Sequence, residues 1–259
     1  MKIAISGKGG VGKTTMAANL AKLFRNAGFN VFAVDADPDS SLGLALGIPE
    51  ERLRTIRPII EMKELMDAQS GPGALYTLNP AVDHIIDEYS IQLDGIRFLR
   101  MGAVKQGGSA CYCRENTFLR ALVNALILDT KDIVILDMGA GIEHLTRGTA
   151  RGVDLMVVVT EAGRSSVQTA RVVEGLAREL GIQDVRFIAN KIRTPREEAY
   201  IRAHFTEDEL LGIQPFDEII ADKAMGFGQT PGEADTETLQ DLLDLIIRRT
   251  PTAPLEAKP

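Results

Sequence analysis

From Gly7 to Thr15 the chain reads Gly-Lys-Gly-Gly-Val-Gly-Lys-Thr-Thr, glycines interleaved with two lysines and closed by two hydroxyls. Gly7, Gly12, Lys13 and Thr14 meet the spacing G-x-x-x-x-G-K-[ST], and Lys8, Gly9, Gly10, Val11 and Thr15 complete the loop. Glycines let successive backbone N–H groups turn inward around phosphate oxygens, Lys13 carries charge to the β- and γ-phosphates, and Thr14 offers a hydroxyl to Mg²⁺. A helix beginning at the loop adds the positive end of its dipole. The chemistry these residues suit is phosphoryl transfer from a nucleoside triphosphate. Lys8 is a second cation that an ordinary loop of this spacing does not require.

Carboxylates at the carboxyl ends of strands lie beside the phosphates in an open α/β sheet. Asp37, in Asp35-Ala36-Asp37-Pro38-Asp39, and Asp137, closing Ile133-Val134-Ile135-Leu136, hold such positions and are the expected Mg²⁺ shell. Asp137 has the place of a Walker B residue holding a magnesium-bound water. Gly139 and Gly141, before Glu143, supply amides for a switch that senses the γ-phosphate. Asn190-Lys191-Ile192-Arg193 follows a later strand. A guanine-reading site needs a carboxylate three residues after the asparagine, and Arg193 stands there, so ATP is the expected nucleotide, with Asn190 facing adenine and Pro215 closing its pocket. His144 and Arg147 read as structural or surface residues, and His84 and His204 have no partner pattern.

Cys111 and Cys113 flank one tyrosine just before an apolar helical face running from Phe118 to Ile127. A helix N-terminus favours thiolate, and thiolates are soft ligands for nickel, zinc, copper and iron–sulfur clusters. The pair reads either as small packing residues or as half of a metal site. Two sulfurs cannot fill a four-thiolate shell, whereas two chains on a two-fold axis could.

Positioning these groups requires strands that alternate with helices. Ile3–Ile5, Val31–Val34, Ile96–Leu99, Lys131–Asp137, Leu155–Val159, Val185–Ala189 and Gly212–Phe216 read as strands. Helices are expected after the loop, with Ala17, Leu20, Ala21, Leu23 and Phe24 on one face and Gly28 at the C-cap, and over 165–180, capped by Gly181. A short helix is expected near 61–68, inside an irregular stretch from Ser41 to Gly95 that covers one edge of the site. The fold class is α/β, a doubly wound, mainly parallel sheet of the P-loop NTPase type, as one domain over residues 1–250. Residues 251–259 form a polar tail expected to be disordered. The helix from 236 to 249 carries Leu239, Leu242, Leu243, Ile246 and Ile247 on one face and reads as core packing rather than a membrane anchor.

Of 259 residues 45% are hydrophobic, and the formal net charge is −7. That balance lacks the clustered cations that neutralise phosphate backbones, which argues against a nucleic-acid partner. The apolar runs are strand-sized and too short for a membrane span. With no signal peptide before Ile3, the expected location is cytoplasmic, where two cysteines serve as thiols or ligands rather than a disulfide.

Lys8-Gly9-Gly10 followed by Gly12-Lys13-Thr14 resembles the deviant Walker A loop of the class that includes the nitrogenase iron protein and the septum-site and partition ATPases. The resemblance implies that Lys8 crosses a homodimer interface to the partner's nucleotide, and that Asp37 orients the attacking water. Met101-Gly102, Lys105, Gly107-Gly108-Ser109, Cys111 through Asn116, and Asp137 through Gly148 are more specific. They resemble the nickel-insertion accessory ATPases of carbon monoxide dehydrogenase, and the similarity runs from Met1 to about Phe216. That resemblance implies an ATP-hydrolysing homodimeric metallochaperone with ATP/ADP, Mg²⁺ and an interfacial Ni²⁺ or Zn²⁺ held by Cys111 and Cys113, and carbon monoxide dehydrogenase as client. A similar ATPase matures acetyl-CoA synthase. More distant alternatives are an ATP-dependent iron–sulfur reductase and a septum or partition positioning ATPase.

Overall fold

The strand-sized apolar runs become one sheet in the computed structural model, which describes residues 1–37, 41–62, 64, 83–102, 121–122, 126, 131–139, 152–224 and 236–248. In chain order the elements begin with β1 (Lys2–Gly7), α1 (Lys13–Asn26), β2 (Asn30–Ala36), α2 (Leu42–Leu46) and α3 (Glu50–Arg54). They continue through α4 (Asp83–Tyr89), β3 (Ile91–Leu93), β4 (Ile96–Arg100), β5 (Asp132–Met138) and β6 (Leu155–Thr160). The last are α5 (Arg164–Glu179), β7 (Val185–Ile192), α6 (Pro195–His204), β8 (Leu210–Pro215), α7 (Glu218–Ala224) and α8 (Thr236–Ile247).

The strand order is β3-β4-β2-β5-β1-β6-β7-β8, and only the short β3 runs antiparallel to its neighbour. β1 therefore sits between β5 and β6, and the crevice at its carboxyl end is the switch point where open α/β sheets bind ligands. Strand alternation divides the core. Ala4, Val34, Leu136 and Val158 point to the face covered by Val167, Ala170, Val173 and Ala177 of α5. Ile3, Ile5, Ala33, Ile135 and Val157 point to the opposite face, under α1 and α8. Strands buried on both sides read as unbroken apolar runs, which is why they were legible.

Leu242, Leu243 and Ile246 of α8 are buried, and the helix packs on β8 and α1, as its apolar face implied. Among the described residues no helix is long and apolar enough to cross a membrane. Between Ser41 and Gly95 the fold adds α2, α3, α4 and β3, none of which the sequence pattern singled out. At the start of the helix expected near 61–68 the chain forms a 3₁₀ turn, Ile59–Glu61, and residues 65–68 lie outside the described set. The helical face from Phe118 to Ile127 falls mostly outside it too, as does the tail 251–259.

The far edge of the sheet is tied to α5 by one arginine. Arg171 donates to Glu209 at 2.7 and 3.0 Å, to Glu174 at 2.8 Å and to the His204 carbonyl at 2.6 Å. Its guanidinium also lies 4.9 and 4.6 Å from the ring centres of Phe187 and Phe205. The hydrogen bonds from Arg171 hold the Glu209 carboxyl down at about 2, against an ordinary value of 4.5. A depressed carboxylate contributes stability that is complete above pH 4.5 and is lost as the pH falls toward 2. Because both side chains are partly exposed, the contribution is about 1 kcal/mol after screening. Glu209→Gln is expected to lower the melting temperature at pH 7 by a few degrees. The gap between variant and parent should close as the scans are repeated down through that acid window.

Candidate active site

The loop 7–15 leaves β1 at the switch point and enters α1 at Lys13. Gly7 and Gly12 adopt φ of 144° and 95°. A Cβ at Gly7 would run into the Val159 carbonyl oxygen, and one at Gly12 into the Asn190 amide, so both positions need glycine. Lys13 is 7% exposed and its ammonium donates to the Lys8 carbonyl at 3.3 Å, which keeps the charge over the loop it opens from. Lys8, by contrast, is exposed, and its ammonium donates to Ser165 Oγ at 3.0 Å, at the start of α5. Thr14 Oγ1 accepts from Ser41 Oγ at 3.2 Å.

The register of the parallel strands carries two carboxylates to this crevice. Ile5 pairs with Asp137, and Asp137 with Asp35, across β1, β5 and β2. Asp137 is fully buried, and neither carboxylate oxygen has a hydrogen-bond partner among the described residues. Burial pushes it up to about 6, and Asp37 adds to that shift. The Thr14 hydroxyl and the Lys13 ammonium oppose it; the hydroxyl lies near enough to favour the charged form without meeting hydrogen-bond geometry. Asp35 is 1% exposed and rises to about 7 through burial and the charge of Asp137, against the N–H groups of Asp37 and Leu42 that it accepts. An unpartnered, buried carboxylate beside a threonine hydroxyl fits a hard divalent cation. Asp137 and Thr14 are thus the residues that would hold Mg²⁺, with Asp37 at the neighbouring strand end.

On the other side of the loop, Asn190 Nδ2 donates to the Val11 carbonyl at 2.8 Å. Lys191 Nζ reaches the Gly10 carbonyl at 2.5 Å and Glu161 Oε1 at 3.0 Å, from a left-handed backbone with φ of 60°. Both side chains strap the loop from β7, so the amide nitrogen expected to face adenine is engaged with the loop itself. Pro215 pairs with Ile192 at the carboxyl end of β8, and Arg193 stacks 3.6 Å from the Phe216 ring centre. Pro215 and Arg193 line an open cavity of 570 Å³. Asp35, Ser41, Glu161 and Ser165 were not picked out from sequence. Of these only Asp35, in the same acidic stretch as Asp37, lies beside a residue that the sequence singles out.

Gly141, Glu143, His144, Arg147, Cys111 and Cys113 lie outside the described residues. Among the described residues no three His, Cys, Asp or Glu side chains converge as a metal site.

Residues 2–227 match the CobQ/CobB/MinD/ParA nucleotide binding domain. The chain belongs to that family. With its P-loop and strand-end aspartates it is a P-loop ATPase. Within the family it is similar to the carbon monoxide dehydrogenase accessory protein CooC of Rhodospirillum rubrum, 44% identical over 86% of this chain and 88% of that one. An uncharacterized ATP-binding protein of Methanocaldococcus jannaschii is 40% identical over 96% of this chain and 98% of its own. Among solved structures, the cell division ATPase MinD of Pyrococcus furiosus superposes with a TM-score of 0.65 at 24% identity, covering 95% of this chain and 98% of that one. A plasmid partition protein of Borrelia burgdorferi reaches 0.69 at 17% identity over 96% and 98%. At these identities the two structures bear on the fold alone.

Proposed function

We propose that the protein is an ATP-driven accessory factor that assists nickel insertion into carbon monoxide dehydrogenase, acting as a homodimer. The observation that carries this reading is the 44% identity to CooC along most of both chains, on a fold whose phosphate loop is intact. In it Lys13 compensates charge on the β- and γ-phosphates, and Thr14 and Asp137 hold Mg²⁺. When bound, that ion supplies electrostatic stabilisation of the phosphates. Asp37 orients the attacking water. The Asn190 and Lys191 straps hold the loop carbonyls outward and so leave its N–H groups free for phosphate.

The cargo, Ni²⁺ or Zn²⁺, is taken by Cys111 and Cys113 of two chains, and Lys8 meets the partner's nucleotide. Lys8 is supported in that role by its exposure and by its weak parking place, a single hydrogen bond to Ser165. The protein acts in the cytoplasm, without nucleic acid or membrane. Acetyl-CoA synthase is the other client of the same chemistry.

Anaerobic native mass spectrometry with ATP and nickel tests the reading, because it counts subunits and metals together. Two chains, two nucleotides and one nickel are expected. In the same experiment Lys8→Ala should bind nucleotide as a monomer and lose the ATP-dependent dimer. A variant that dimerises normally with ATP would remove Lys8 from the interface, and a parent that takes no nickel would remove the metallochaperone role.

A further inference from the structure

Asp35 is the most heavily engaged buried carboxylate of the site, and neither phosphate binding nor the metal shell uses it. One oxygen accepts from the Asp37 N–H at 3.3 Å and the other from the Leu42 N–H at 3.2 Å. These bonds grip both ends of the short segment that carries Asp37 and Ser41, and Ser41 in turn touches Thr14. The Asp35 carbonyl accepts from the N–H groups of both Met101 and Gly102, at 2.9 and 3.1 Å, fixing the end of β4 to the same point. Met101 closes the set through its own carbonyl, which accepts from Ile60 N. Gly102, with φ of 78°, packs so closely on Pro58 and Ile60 that a Cβ would collide with both.

We propose that Asp35 is a positioning residue for ATP hydrolysis: its carboxylate sets where Asp37 stands relative to Asp137. The alternative, a stabilising core residue, fails on electrostatics. Among the described residues no cation pairs with Asp35, and it lies against Asp137 in register, so a negative charge there opposes folding. A carboxylate kept at a costly place because it accepts two N–H groups at once is the pattern of a site held for function rather than stability. Asparagine has the same shape but only one acceptor oxygen. It must turn its NH₂ toward one of the two N–H groups and release that end of the segment.

The inference rests on the ATPase reading, so turnover by the parent is measured first; its absence would sink that reading and not this one. With an active parent, Asp35→Asn is expected to lower kcat about 100-fold, the scale of an ångström's misplacement of a reacting group. ATP affinity should stay within about threefold, since Lys13 and the loop amides are untouched. The melting temperature should hold or rise, because a buried like-charge contact is removed. Amide exchange at Leu42 or at Asp37, whose N–H groups Asp35 holds in the parent, should speed up in the variant. Turnover at the parent rate overturns the proposal. So does a fall in kcat matched by equal falls in affinity and melting temperature, which would mark Asp35 as part of the scaffold.

Discussion

Lys13→Ala is expected to cut ATP turnover by about 100- to 1,000-fold, the usual cost of deleting one preorganised group that faces developing charge. Lys13 is the first residue of α1, and its ammonium is buried where the loop, the helix dipole and Asp137 meet. Nothing else in the loop can replace it. Lys8 points away to Ser165, and Lys191 is committed to Gly10 and Glu161 on the loop's outer side. The fold should survive, because the lysine makes one hydrogen bond of 3.3 Å and the loop is shaped by its glycines. A stopped assay on protein with the parent's melting temperature is therefore the decisive measurement. Hydrolysis at the parent rate would remove Lys13 from the reaction and the loop from its assigned role.

Much of this site was legible because its signals are local. The phosphate loop is contiguous, and Asp37 and Asp137 sit at strand ends that buried apolar runs announce. The observed strands run to Ala36 and Met138, one or two residues past the apolar stretches, so Asp137 lies inside the end of β5 while Asp37 follows β2 by one residue. The role of Asp35 is long-range. Its importance comes from lying beside Asp137 in a sheet whose order puts β2 next to β5, and from a grip on Met101 and Gly102 far along the chain. No spacing in one sequence exposes such neighbours.

The misses between Ser41 and Gly95 have another cause. α2 and α3 have five residues each, too few to display a helical period. β3 has three residues and pairs with its sequence neighbour across Asp94-Gly95, where both residues take positive φ. The asparagine of β7 also donates from its side-chain nitrogen to a carbonyl of the phosphate loop, 179 residues earlier, a contact that no local spacing announces.

Replacing Cys111 and Cys113 together by alanine should abolish the metal-dependent dimer and leave ATP binding by each chain intact. Each chain offers two thiolates, so a four-thiolate shell for Zn²⁺ or Ni²⁺ can close only across two chains. Metal affinity and dimer affinity must then strengthen each other by the same free energy, as linkage requires. Equilibrium sedimentation of the parent should show Zn²⁺ shifting monomer to dimer, with one metal per dimer. With Ni²⁺, thiolate charge-transfer bands in the near ultraviolet and visible should grow in step with the dimer. Both signals should vanish in the double variant. Nucleotide affinity should hold, because Lys13 and Thr14 come from α1 and Asp137 from β5, which these cysteines do not build. One metal per monomer in the parent, or an unchanged metal affinity in the double variant, would reject the shared site and return the two cysteines to packing residues.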